Sequence, residues 1–194
     1  MKACENEKKH EQILSLKRIR LHHKVLAKVS YNAYKFIIEC SEVLVVYKDQ
    51  VLFKQGSYID YVYFVLYGGL MVTLANSNLQ KIGDVVRGGN VLGEEAFFSQ
   101  NPAYKESAVC HTEEVGLLQV NSALLSELGM DNFQGKGNNQ LAYQRDFKAL
   151  FSLLRQIHLT KEEWRGRAMA YMTAQQVSSK NKGNEFTEYR NKKK

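Results

Sequence analysis

The sequence predicts an α+β protein, an antiparallel β-barrel or sandwich held between helical segments. Three observations predict it. Short β-rich runs recur at spacings of roughly 8–12 residues between Glu42 and Val120, with turn residues between them. Before that stretch, and again after it, apolar residues recur at three- and four-residue steps. The 44% hydrophobic and 24% charged content suits a folded core rather than a disordered chain.

The N-terminal segment comes first. From Glu11 to Glu39 the residues Leu14, Ile19, Val25, Leu26, Val29, Ala33, Phe36 and Ile37 follow helical spacing, which predicts one or two amphipathic helices broken near Ser30. Residues 1–41 are therefore read as a helical extension.

The β region, residues 42–129 with its following short helix, is read as the central domain. Its runs are Val43–Tyr47, Val51–Lys54, Tyr61–Tyr67, Leu70–Leu74, Leu79–Val85, Ala108–Thr112 and Val115–Val120. Asp49-Gln50, Gly56-Ser57, Gly68-Gly69, Asn76-Ser77-Asn78 and Gly88-Gly89-Asn90 are the turn signals between them. Asn121 or Ser122 can cap a short helix that Gly129 stops.

Residues 130–178 begin with a polar loop and continue as helix, marked by Leu141, Phe147, Leu150, Phe151, Leu154 and Ile157. Thr160-Lys-Glu-Glu163 has the form of a capping box and predicts the start of a further helix through Trp164, Ala168, Tyr171 and Met172. Residues 179–194 read as a basic tail.

Composition excludes several classes. No apolar run is long enough to span a membrane. Three scattered cysteines (Cys4, Cys40, Cys110) and five histidines form neither a disulfide framework nor a zinc pattern, and a reducing, cytoplasmic setting is expected. No catalytic triad order, Walker loop or HExxH stands in the chain, and adjacent Glu94 and Glu95 point to different sides, so no enzyme is expected. The net charge of +7 lies in the two ends, among them Lys8, Lys9, Lys17, Lys180, Lys182 and Lys192. These basic extensions are expected to grip protein partners in a multi-subunit assembly, with no DNA reader. A ciliary setting is a guess from composition alone.

Three blocks carry a family resemblance. Val51-Leu-Phe-Lys-Gln-Gly56-Ser leads to Asp60-Tyr-Val-Tyr-Phe-Val-Leu-Tyr-Gly68; Ile82 to Leu92 contains Gly89; Gly93-Glu94-Glu95-Ala96-Phe97 is followed by Val109 through Val115, Leu117 and Val120. In this order and spacing, roughly Val45 to Leu128 resembles the cyclic-nucleotide-binding domain. The resemblance implies a jelly-roll-like barrel and a cassette for cyclic AMP or cyclic GMP, with no other cofactor.

It also implies site residues. Gly93 allows close backbone approach, Glu94 accepts the ribose hydroxyl, and the Ala96 N–H faces the phosphate. Ser107 follows in the closing strand. The family's phosphate-clamping arginine is missing. Counted back from Val109 its position falls on Lys105, followed by Glu106 where the family is usually small. Counted forward from Gly93 it falls on Ala103. Ser57 replaces an expected aspartate, and Trp164 is either a base-stacking lid or ordinary packing. A lysine in place of the arginine forfeits about 1.5–3 kcal/mol of bidentate bonding, and an inward glutamate adds repulsion. The sequence therefore predicts a non-catalytic structural or regulatory subunit with weak or lost nucleotide binding. The alternative is a cyclic-nucleotide sensor that relays binding through its C-terminal helices to a partner.

Overall fold

The computed structural model describes residues 18–77, 80–100, 102–129 and 139–191. The expectations placed on residues 1–17 and on the loop before Asn139 lie outside the described residues.

Residues 18–22 are helical and a turn follows at 24–28. Helix α1 (Tyr31–Glu39) begins where the break near Ser30 is expected, because the Ser30 hydroxyl accepts from the Ala33 N–H at 3.1 Å. Eight strands follow: β1 (Ser41–Tyr47), β2 (Val51–Phe53), β3 (Tyr61–Tyr67), β4 (Gly69–Ala75), β5 (Lys81–Arg87), β6 (Val91–Leu92), β7 (Ser107–Cys110) and β8 (Glu114–Asn121). A 3-10 turn (Glu94–Phe97) interrupts them after β6. The helices α2 (Ser122–Gly129) and α3 (Asn139–Asn191) complete the chain. Asn121 caps α2, its Oδ1 accepting from the Ala123 N–H at 2.9 Å.

The strands form two antiparallel sheets in the orders β1-β8-β3-β6 and β2-β7-β4-β5, a jelly-roll-like arrangement. Phe53, Ile59, Tyr63, Val65, Leu70 and Leu117 fill the space between the sheets. The other face of the first sheet buries Val62, Phe64, Leu118 and Val120 against Ile37, Leu125, Phe147, Leu150 and Leu154 of the helices. Covering both faces of β3 and β8 explains why those strands read as nearly continuous apolar runs rather than alternating ones.

Helix α3 corrects one expectation and crosses another boundary. Its 53 residues extend about 80 Å without a break, so the Thr160 capping box does not start a helix. The Thr160 hydroxyl instead donates back to the Gln156 carbonyl at 3.0 Å, as a mid-helix threonine does. The helix also continues through Ser178, where the sequence reading begins a tail. Nothing between 139 and 191 is proline, and the segment is rich in Lys, Gln and Glu, which tolerate helix. Its buried face is a single stripe at 147, 150, 154, 157, 161, 165, 168 and 172, steps of three and four. Met172 lies on that stripe, whereas Tyr171 is exposed. Two positions on the stripe are Lys161 and Arg165.

Candidate functional site

Gly93 starts the site. Its φ of 83° lies in the left-handed region, and a Cβ there would come 2.5 Å from the Tyr61 carbonyl oxygen, so only glycine fits between β3 and the 3-10 turn. The turn then directs Glu94 and Glu95 inward, and both are essentially fully buried. Their burial demands cations, and the stripe of α3 supplies them.

Lys161 Nζ donates to Glu94 Oε2 at 2.6 Å and to the Val91 carbonyl at 3.0 Å. One helical turn on, Arg165 is bonded to three carboxylates. Its Nε donates to Glu106 Oε1 at 2.5 Å and its Nη2 to Glu106 Oε2 at 2.9 Å, a bidentate pair. Nη2 also donates to Glu95 Oε1, and Nη1 to the half-exposed Glu162 at 2.6 Å. Aromatic contacts hold the helix over the turn: Phe97 meets Phe151 edge-on at 5.3 Å, and Phe98 stacks on His158 at 5.2 Å.

The electrostatics follow from burial. Desolvation pushes Glu94 from 4.5 up to about 6; Lys161 opposes the rise and Glu95 adds to it. Glu94 Oε1 and Glu95 Oε2 are buried with no hydrogen-bond partner among the described residues. For Arg165, burial disfavours the charge, but bonding to Glu106 and its negative charge outweigh that and hold the guanidinium above its ordinary value.

The structure places the sequence-predicted residues unevenly. Gly93 and Glu94 stand at the centre. The Ala96 N–H donates within the turn to the Gly93 carbonyl at 3.2 Å. The Ser107 hydroxyl accepts from the Gln55 N–H at 2.9 Å and so fastens the β2 end. Lys105 is exposed and makes no bond to Glu94, whereas its neighbour Glu106 is only 4% exposed and faces the cluster. Trp164 is half-buried and packs beside Leu74 and Ile82 with Ala168 and Met172.

Lys161 and Arg165 are the residues that sequence reasoning missed. Apart from Glu162, their carboxylate partners lie 67 and 59–70 residues away. The signal was nonetheless present. An apolar stripe that admits a lysine and an arginine, then resumes, marks cations destined for burial, and the carboxylates at 94 and 95 sit in otherwise apolar surroundings.

Among the described residues no group of His, Cys, Asp and Glu is arranged to hold a metal ion, and no helix is long and apolar enough to cross a membrane.

Comparison with known proteins agrees with the two-sheet fold. Residues 43–132 match the family model described as the cyclic nucleotide-binding domain. No curated protein matches the chain at a significant level. Among solved structures, the chain is similar to a candidate cyclic nucleotide-binding protein of Geobacter metallireducens, with 23% identity, a TM-score of 0.58, and coverage of 75% of this chain and 96% of that one. It is also similar to the catabolite activator protein of Thermus thermophilus, with 13% identity, a TM-score of 0.55, and coverage of 77% and 63%. The sensor domain of the transcriptional regulator DNR from Pseudomonas aeruginosa gives 18% identity, a TM-score of 0.51, and coverage of 83% and 91%. At such identities the structural likeness establishes the fold. The family match and the structural likeness agree that residues 43–132 have the cyclic nucleotide-binding domain fold.

Proposed function

We propose that the chain is a non-catalytic structural or regulatory subunit whose nucleotide cassette is held shut by its own helix α3, leaving cyclic-nucleotide binding weak or lost. One observation carries this reading: Lys161 and Arg165 already bind Glu94, Glu95 and Glu106. In the family's scheme Glu94 would accept the ribose hydroxyl, yet here its Oε2 is engaged by an ammonium group. Glu106 brings a buried negative charge beside the place where a diester would lie, and the exposed Lys105 offers no counter-charge there. A nucleotide would have to displace two ion-paired cations and then face three carboxylates.

The same bonds make α3 the element through which the cassette would speak to a partner. In the sensor reading, a nucleotide would release Lys161 and Arg165 and let α3 move. Thermal denaturation with cyclic AMP or cyclic GMP at millimolar concentration separates the two. The expected result is no change in melting temperature. A site with millimolar or tighter affinity would raise stability by RT ln(1 + [L]/Kd), and a saturable rise that Glu94→Ala abolishes would overturn the closed-cassette reading.

A further inference from the structure

An open sheet edge presents backbone groups with which another strand can pair, and folded proteins blunt such edges with charge, short length or a bulge. Strands β1 and β6 end the first sheet, and β2 and β5 end the second. Three of these edges are blunted. Strand β6 is two residues long, β2 is three with a register shift between Val51 and Phe53, and β5 carries Lys81, Asp84 and Arg87. Strand β1 is the exception. It pairs with β8 alone over seven residues in unbroken register, and from Val43 to Tyr47 it has no charge, glycine or proline.

The direction of its backbone groups follows from the ladder. The Lys48 N–H donates to the Glu113 carbonyl at 3.0 Å, so in this register the even-numbered residues of β1 bond to β8. The N–H and C=O of Val43 and Val45 therefore point away from the sheet. At Tyr47 both groups are taken. Its N–H donates to Gln50 Oε1 at 2.9 Å, and its C=O accepts from the Gln50 N–H at 3.0 Å. The open edge is thus the stretch from Val43 to Val45, and the side chains of Val43, Val45 and Tyr47 are exposed, Val43 by 73%.

We propose that β1 is the docking edge for a second copy of the chain, the two strands pairing antiparallel about a two-fold axis at Leu44. Val43 of each copy then lies opposite the other's Val45, each pair exchanging both of its backbone hydrogen bonds. Charge selects this arrangement. Glu42 and Lys48 flank the uncharged run. Antiparallel pairing sets each Glu42 diagonally across from the second copy's Lys48, whereas parallel pairing in register would set like against like. Lys48 is exposed and bonded only to the exposed Glu113, which leaves ammonium protons for a second carboxylate. Val43 and Val45 pack best beside β-branched side chains, and the same strand supplies them. The surface goes beyond the closed-cassette reading, since no residue of β1 bonds to Glu94, Glu95, Glu106 or their cations.

Sedimentation of the full chain from micromolar to submillimolar concentration should show a monomer–dimer equilibrium. Val45→Lys sets like charges beside the axis, and Val45→Pro removes an N–H that only a partner strand uses, a change that an edge strand tolerates. Each should weaken dimerisation by at least about ten-fold, with the circular dichroism of the dilute monomer unchanged. Glu42→Lys and Lys48→Glu should each weaken self-association about three- to ten-fold. Mixing those two variants should restore it, because only the mixed dimer pairs opposite charges at both ends. Hydrogen exchange at the Val43 amide reads the edge directly, and it should slow with rising concentration in the parent but not in Val45→Lys. A chain that stays monomeric at submillimolar concentration would leave this edge to a strand of another protein and overturn the proposal. A dimer that survives both Val45 variants, or that forms without slowing exchange at Val43, would place the interface elsewhere and overturn it equally.

Discussion

Arg165→Ala should lower stability by about 3–5 kcal/mol, the largest effect expected of any single change at the site. The guanidinium is itself buried, and it is the shared partner of Glu95, Glu106 and Glu162. Its removal leaves Glu95 and Glu106 as buried carboxylates with no facing cation, because Lys161 is already bonded to Glu94 and the Val91 carbonyl. At about 2–4 °C per kcal/mol for a chain of this size, the melting temperature should fall by roughly 10 °C, measured by circular dichroism. Arg165→Lys should recover little, since one ammonium group cannot reproduce the bidentate bond to Glu106 together with the bond to Glu95. Combining Arg165→Met with Glu95→Gln and Glu106→Gln should recover most of the loss, because the penalty arises from the unpaired charges rather than from the missing attraction. A single-variant loss within experimental error would mean that α3 does not close over the cassette in solution.

How much of this arrangement could be read beforehand depends on distance along the chain. The seven β-rich runs correspond to strands because each is long enough to carry a period and is bounded by a turn residue. Gly56, Gly68 and Gly89 adopt positive φ at those turns, as does Asp49 at 66°. Strand β6 is only Val91–Leu92, too short to show a period, and it is recognisable only as the lead into Gly93. The capping-box signature at Thr160 failed for a physical reason. A cap works where the preceding chain leaves the helix, and here Leu150, Leu154 and Ile157 on one side and Ala168 and Met172 on the other keep one face against the fold. Position counting reached the right stretch of loop but gave the inward role to Lys105, whereas the backbone turns Glu106 inward. One residue's difference in register converts an expected cation into a buried carboxylate, and that carboxylate makes sense only beside Arg165. No local pattern connects residues 106 and 165. The pairing follows from the rule that a buried charge must meet its opposite.

Glu94 is expected to behave against intuition for a residue in an ion pair. Burial raises its carboxyl from 4.5 to about 6 despite Lys161, so the folded protein favours the neutral form more than the unfolded chain does. That difference corresponds to about 2 kcal/mol, which the ionised group costs the fold at neutral pH. In the window between 4.5 and 6 the folded state binds more protons than the unfolded one. The stabilisation is therefore complete below 4.5 and lost as pH rises through 6. Glu94→Gln, a permanently neutral shape, should raise stability by about 2 kcal/mol at pH 7, and the gain should vanish near pH 4.5. His23 works in the opposite sense. Burial lowers it from 6.5 to about 4, so its contribution is complete above 6.5 and disappears as pH falls through 4. In the parent protein the two offset each other on mild acidification and flatten the profile. In Glu94→Gln only the His23 contribution remains, so the melting temperature should fall steadily from pH 7 to pH 4.5. Denaturation of both proteins across that range measures the difference directly. A variant less stable than the parent at pH 7 would show that Lys161 more than offsets the burial of Glu94. The ion pair would then stabilise the closed cassette, where the present geometry has the closed cassette tolerating a charge that it would be more stable without.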